Sequence, residues 1–201
     1  MVDLKEFEQK AADLRVLGMK ISIGQDTVYE KYWDEDCRRN IYSASKSFTS
    51  CAVGFAVQEG LIDLDERLMD AFKEDIPNNP DENLKKATVK DLLTMTLGQE
   101  KGFLMGKQRP RMEEQNWVKA SLAIPFVYEP GTHFVYNNVG PYLAGILVQR
   151  RAGCDLLSYL TPRLLKPLGI RKTIWEVDPE GNTFGAGGLF LTVSELHKLG
   201  M

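Results

Sequence analysis

Leu4, Phe7, Ala11, Leu14 and Leu17 recur at helical spacing with charges between them, and Gly18 follows as a stop. The spacing predicts an amphipathic helix at the head of the chain. Residues 19–23 and 27–33 are β-prone and flank Gly24-Gln25-Asp26, which reads as a hairpin closed by a short turn. From Ala44 to Glu59 the apolar positions Phe48, Cys51, Ala52, Phe55 and Ala56 share one face, and Val53 and Val57 widen the stripe until little polar surface is left. That helix is expected at the centre of the core, closed by Gly60. Thr88-Val-Lys-Asp91 opens a further helix with a capping-box-like start, running to Leu97, and Pro77-Asn-Asn-Pro80 before it is loop. Helices are also expected over 113–123, 141–152 and 155–165, with the irregular stretch 125–135 turning at Pro130-Gly131. Thr192-Val-Ser-Glu195 forms a capping box for a last helix.

Composition narrows the class. The 201 residues are 43% hydrophobic and 26% charged with a formal net charge of −3, which excludes disorder, collagen and coiled coil and suits one globular domain. The longest apolar runs, 52–57 and 143–148, fall far short of the roughly 20 residues of a membrane-spanning helix. Residues 1–10 show no secretory pattern, so the chain as written is expected in the cytoplasm. Residues 1–100 carry 13 basic and 20 acidic side chains and residues 101–201 carry 12 and 8, a difference read as uneven surface solvation; no nucleic-acid footprint stands out. Cys37, Cys51 and Cys154 lie far apart without a CxxC pair and read as free thiols, and two histidines are too few for a His-based metal cluster. No metal and no organic cofactor is expected.

Ser43-Ala44-Ser45-Lys46 puts a hydroxyl at the start of the buried helix and an amine three residues later, one turn away on the same face. That geometry suits a nucleophile and its base. The helix N-terminus adds a positive dipole end for an oxyanion, and desolvation pushes a lysine toward its neutral form. The alternative is helix capping by Ser43 or Ser45 with a solvated Lys46, since this spacing arises by chance about once in a chain of this length. Tyr136-Asn137-Asn138, the single Tyr-x-Asn, lies on a loop ahead of the 141–152 helix. A tyrosine beside an ammonium can exchange a proton, and an asparagine can grip a substrate amide. Against that, Asn138 can simply cap the helix while Tyr136 packs. His133, three residues earlier, reads as exposed and inert; Asp63, Asp65 and Glu66 read as a solvated loop. Without a Gly-x-Ser-x-Gly, there is no nucleophile elbow of the α/β-hydrolase type.

Six blocks taken in order, Ile41-Tyr-Ser-Ala-Ser-Lys-Ser-Phe-Thr-Ser50, Gln58-Glu-Gly-Leu-Ile-Asp-Leu-Asp65, Thr88-Val-Lys-Asp-Leu-Leu-Thr-Met-Thr-Leu-Gly98, Glu129-Pro-Gly-Thr-His-Phe-Val-Tyr-Asn-Asn138, Lys166-Pro-Leu-Gly169 and Gly187-Gly-Leu-Phe-Leu-Thr192, resemble the serine β-lactamase-like superfamily. The nearest members look like class C β-lactamases, DD-peptidases and related esterases. The resemblance implies an α+β fold, a helical subdomain plus an antiparallel sheet packed by helices. It implies Ser43 as acylated nucleophile, Lys46 as its proton partner, Tyr136 as general base or acid and Asn138 as binder of the substrate amide. Its chemistry is cleavage of a small-molecule ester, amide or β-lactam carbonyl through a serine ester. A third motif, Lys or His followed by any residue and Gly on a sheet strand, is also implied. Lys198-Leu199-Gly200 matches its letters but follows the Thr192 capping box in a helical pattern. Residues 1–201 are therefore expected to form the N-terminal part of a single domain, with a helix and hairpin over 1–33, the catalytic helix and helical region over 41–201, and the last strands of the sheet missing. The hairpin would then be an isolated ribbon prone to self-association. The rival expectation is a catalytically silent binding module or fragment that keeps these four residues without the third motif.

Overall fold

The computed structural model describes residues 4–11 and 13–201. Two long helices organise it. α2 (Ser45–Gln58) buries Phe48, Ala52, Val53 and Ala56, and it packs on α7 (Val139–Ala152), where every residue from Val139 to Gln149 is buried. A helix apolar all round can only lie inside a core, and full burial of each large side chain contributes about 1.5–3 kcal/mol. Around this pair lie α3 (Leu68–Ala71), α4 (Glu82–Lys86), α5 (Val89–Thr94), α6 (Trp117–Leu122) and α8 (Leu156–Leu160). They bring Leu68, Leu84, Leu92, Leu122 and Leu160 into the same apolar cluster.

The β structure is small and antiparallel. β1 (Gly18–Ile23) and β2 (Asp26–Tyr32) form the predicted hairpin, with Gly18 opposite Tyr32. This hairpin is not bare. Tyr29 and Lys31 reach Glu8 of α1 (Lys5–Ala11), Phe7 meets Trp33 edge to face, and Ser22 and Tyr32 bond His197 and Ser194 of α9 (Val193–His197). The sequence pattern does not reveal the second pair, β3 (Arg39–Asn40) with β4 (Phe190–Leu191), because two residues carry no periodicity. Among the described residues no helix is long and apolar enough to cross a membrane, no group of side chains could hold a metal, and the three cysteines are free thiols.

Several helix ends differ from expectation. α1 stops at Ala11, not at Leu17, and Leu14 is exposed. α6 begins at Trp117, because the Asn116 side chain accepts the Lys119 N–H at 2.8 Å and fixes the cap there. α5 ends at Thr94, where Met95 turns left-handed with φ 57°. α7 starts two residues before Pro141. α8 gives way after Leu160 to one π turn over Thr161–Leu165, which accommodates Pro162 and its missing N–H. The Thr88 and Thr192 capping boxes form as read, each with reciprocal bonds to Asp91 and Glu195.

α7 owes its position to one close approach. A β-carbon built on Gly140 would sit 2.2 Å from the Leu92 carbonyl oxygen, so only glycine lets the start of α7 lie on α5. Gln149, the buried polar residue of α7, accepts the Thr183 N–H at 2.8 Å and donates to the Thr183 carbonyl at 3.1 Å. That pair fastens the segment leading to β4 against the core. The Gly140→Ala substitution is expected to lower stability by about 1–3 kcal/mol through overpacking, read as a reduced urea midpoint. A midpoint equal to that of the parent chain would show that α5 and α7 can part without cost.

Candidate active site

Two segments, the turn leading into α2 and the loop before α7, meet at Ser43. It lies exposed in the single 3₁₀ turn Tyr42–Ala44 that leads into α2, so the positive end of the helix dipole falls beside its hydroxyl. Lys46, one turn along, places its Nζ 3.1 Å from Ser43 Oγ. Tyr136 arrives from the loop before α7 and donates its hydroxyl to the same Oγ at 2.7 Å. Asn138, next in register, accepts from Lys46 Nζ at 2.8 Å through Oδ1 and donates to the Leu104 carbonyl at 2.9 Å through Nδ2. All four residues singled out by the two motifs are thus drawn into one hydrogen-bonded cluster.

The helix cap is made by a neighbour. Asn137, not Asn138, accepts the Gly140 N–H at 3.0 Å, which leaves the Asn138 amide free to point at Lys46. Ser45 is likewise structural. Its buried hydroxyl donates to the Tyr42 carbonyl at 2.6 Å and accepts the Leu189 N–H at 3.1 Å. The sequence could not say which serine or which asparagine took the bland role; the structure divides each pair.

Lys46 is half-buried and its ammonium meets three acceptors, Ser43 Oγ, Asn138 Oδ1 and the Ala186 carbonyl at 2.5 Å. Three acceptors match the three donors of a protonated lysine. Burial pushes its pKa below the ordinary lysine value, Tyr136 pulls it back up, and the Arg109 charge adds to the lowering. Burial acts to raise the Tyr136 phenol, but the hydrogen bonds around Ser43 and Lys46 and the ammonium charge outweigh it and leave the pKa below that of free tyrosine. The Lys46 Nζ also lies 5.2 Å from the Tyr136 ring centroid. A hydroxyl flanked by these two groups can surrender its proton to the pair and receive one back.

Sequence reading missed the backbone acceptors. The Leu104 and Ala186 carbonyls carry no side-chain signal; the latter lies in the glycine-rich stretch 185–188. Thr49 holds this stretch by donating to the Gly185 carbonyl at 2.8 Å. Arg109 and Glu176, whose side chains pair at 3.1 Å, belong to no motif. The other candidates fall away from the cluster. His133 stacks on Tyr128 and shares a hydrogen bond with Thr132; Glu66 pairs with Arg151; Lys198 lies on the 3₁₀ turn after α9 and donates to the Gly169 carbonyl.

A family model described as Beta-lactamase matches residues 5–200. Monacolin J acid methylbutanoyltransferase of Aspergillus terreus is 31% identical over 157 residues, which are 68% of this chain and 37% of that protein. Lovastatin esterase of Penicillium rubens is 31% identical over 150 residues, 64% of this chain and 37% of its own. The aligned stretch thus spans little more than a third of the length of either relative. Among solved structures, a class C β-lactamase superposes with a TM-score of 0.74 at 18% identity, over 96% of this chain and 61% of that one, which supports the α+β fold. With its family model matched across nearly all of its residues, the chain belongs to the Beta-lactamase family.

Proposed function

We propose that this chain carries the acylation centre of a serine acyl-transferring enzyme, with Ser43 as nucleophile. The observation that carries the reading is the Ser43 Oγ held between Tyr136 and Lys46 at 2.7 and 3.1 Å at the start of a buried helix. Ser43 Oγ attacks the carbonyl carbon of an ester, amide or β-lactam while its proton passes to the Tyr136–Lys46 pair. The bond to the leaving group breaks, and the leaving group takes the proton. Water, or an alcohol in the transferase case, then attacks the Ser43 ester, gives its proton to the pair, and releases acid or new ester as the serine O–H is restored. Esters are favoured as substrates because the two curated relatives are named for transferring an acyl group and for cleaving an ester.

The contacts support Tyr136 as the group that takes the proton. Lys46 aims its three donors at oxygen acceptors, which favours the ammonium against the lowering of its pKa by burial, and its charge favours a phenolate beside it. In the resting arrangement both neighbours donate to Ser43, so acylation must wait for the pair to lose one proton. Asn138 is placed to steady Lys46 and to offer its amide to a substrate entering beside Ser43.

Incubation with a fluorophosphonate or a fluorescent penicillin is expected to add mass at Ser43, and Ser43→Ala to abolish it. A folded sample that neither probe labels would establish the silent reading instead. Tyr136→Phe and Lys46→Ala are each expected to slow acylation by about 10²–10⁴-fold, the usual contribution of a general base. Near-normal rates in both would remove the pair from the reaction. Because the Tyr136 pKa is lowered, acylation should rise with pH and level off below the pH of about 10 at which a free phenol ionises. Deleting the ammonium removes one cause of that lowering, so residual acylation by Lys46→Ala should show the rise displaced to higher pH. A pH–rate profile that is flat in the parent chain contradicts this assignment.

A further inference from the structure

Tyr42, the residue before Ser43, has φ 48°, in the left-handed region that side chains with a β-carbon rarely adopt. Nothing buries the side chain, which is 73% exposed, so packing does not hold the conformation. The peptide groups do. Asn40 Oδ1 accepts the Tyr42 N–H at 2.7 Å, and Ser45 Oγ donates to the Tyr42 carbonyl at 2.6 Å. Both polar backbone atoms of the strained residue are therefore gripped by side chains.

Asn40 is itself held from the other side. Its Nδ2 donates to Glu176 Oε1 at 3.2 Å, and Glu176 Oε2 receives Arg109 Nη1 at 3.1 Å. Arg109 lies over the buried Phe184 ring, 4.3 Å from its centroid. Space for the carboxylate comes from Gly188, where a β-carbon would stand about 2.5 Å from Glu176 carbons. The chain Arg109, Glu176, Asn40, Tyr42 thus runs from the loop that supplies the Leu104 carbonyl to the turn that presents Ser43.

We infer that Asn40 is a positioning residue which, oriented by Glu176 and Arg109, locks the left-handed Tyr42 turn and so aims the Ser43 hydroxyl at Tyr136 and Lys46. The inference rests on the reading of Ser43 as nucleophile. A backbone flip at Tyr42 would swing the Ser43 side chain away from its partners, and a misplacement of about 1 Å can cost on the order of 10²-fold in rate. Glycine at position 42 populates the left-handed region without help, so it should remove the need for the clamp.

The test is a double-mutant cycle on fluorophosphonate acylation of Ser43, with folding of each variant followed by circular dichroism. Asn40→Ala is expected to slow acylation about tenfold or more in the parent chain, and less than about threefold in the Tyr42→Gly background. Should Asn40→Ala fail to fold, Glu176→Gln, which keeps the shape and removes the charge that orients Arg109, is taken through the same cycle. Equal losses in both backgrounds would mean that Asn40 serves only the β3–β4 pairing, and no loss in either would mean that it positions nothing; each overturns the proposal. Failure of the parent chain to label at all is a separate result, and it strikes the nucleophile assignment itself.

Discussion

A lysine ammonium cannot be taken out of water alone. The effective penalty is several kcal/mol unless oxygen atoms replace the lost hydration. Here those oxygens come from Ser43 on its own helix, Asn138 at the start of α7 and Ala186 in the segment before β4. Three stretches distant in sequence converge on this half-buried nitrogen. Because the acceptors include a serine hydroxyl exposed to solvent, satisfying the half-buried charge also assembles the proposed reaction centre. Stability and chemistry draw on the same contacts, in contrast to an engineered site added to a finished scaffold.

Helices α2 and α7 make that convergence reproducible. Their apolar surfaces lie against each other, and Gly140 lets α7 ride directly on the Leu92 carbonyl. Asn137 fixes the first turn of α7, so Tyr136 and Asn138 on either side of it are presented in a set orientation. The Tyr-x-Asn spacing works because the middle residue is spent on the helix and its two neighbours project elsewhere. The Thr49 and Gln149 side chains do the same for the 183–186 segment, tying its backbone to the core from which Lys46 reaches out.

The parts legible in the sequence are those where side-chain chemistry itself repeats or clusters. The α2 stripe, the hairpin around Gly24 and the two capping boxes are read at nearly their observed positions. Ser43, Lys46, Tyr136 and Asn138 could be singled out because hydroxyl, amine, phenol and amide stood at spacings that a helix or a loop brings together. What could not be read depends on backbone atoms and on distant partners. The Leu104 and Ala186 carbonyls look like any other carbonyl, β3 and β4 are two residues each, and Asn40 gains meaning only from Glu176, which lies 136 positions away. The helix ends moved for local reasons of the same kind: an Asn116 side chain claimed one N–H, and Pro162 lacked another.

The close seating of α7 on α5 has a consequence for how such a centre can diversify. With Gly140 against a carbonyl oxygen and every residue from Val139 to Gln149 enclosed, the first three turns of α7 have no room for larger side chains. The loops on either side are more open: Met105 is partly exposed, and Lys107 and Phe134 are exposed to solvent. Under the proposed function, side chains on such loops can change without disturbing the contacts among Ser43, Lys46, Tyr136 and Asn138.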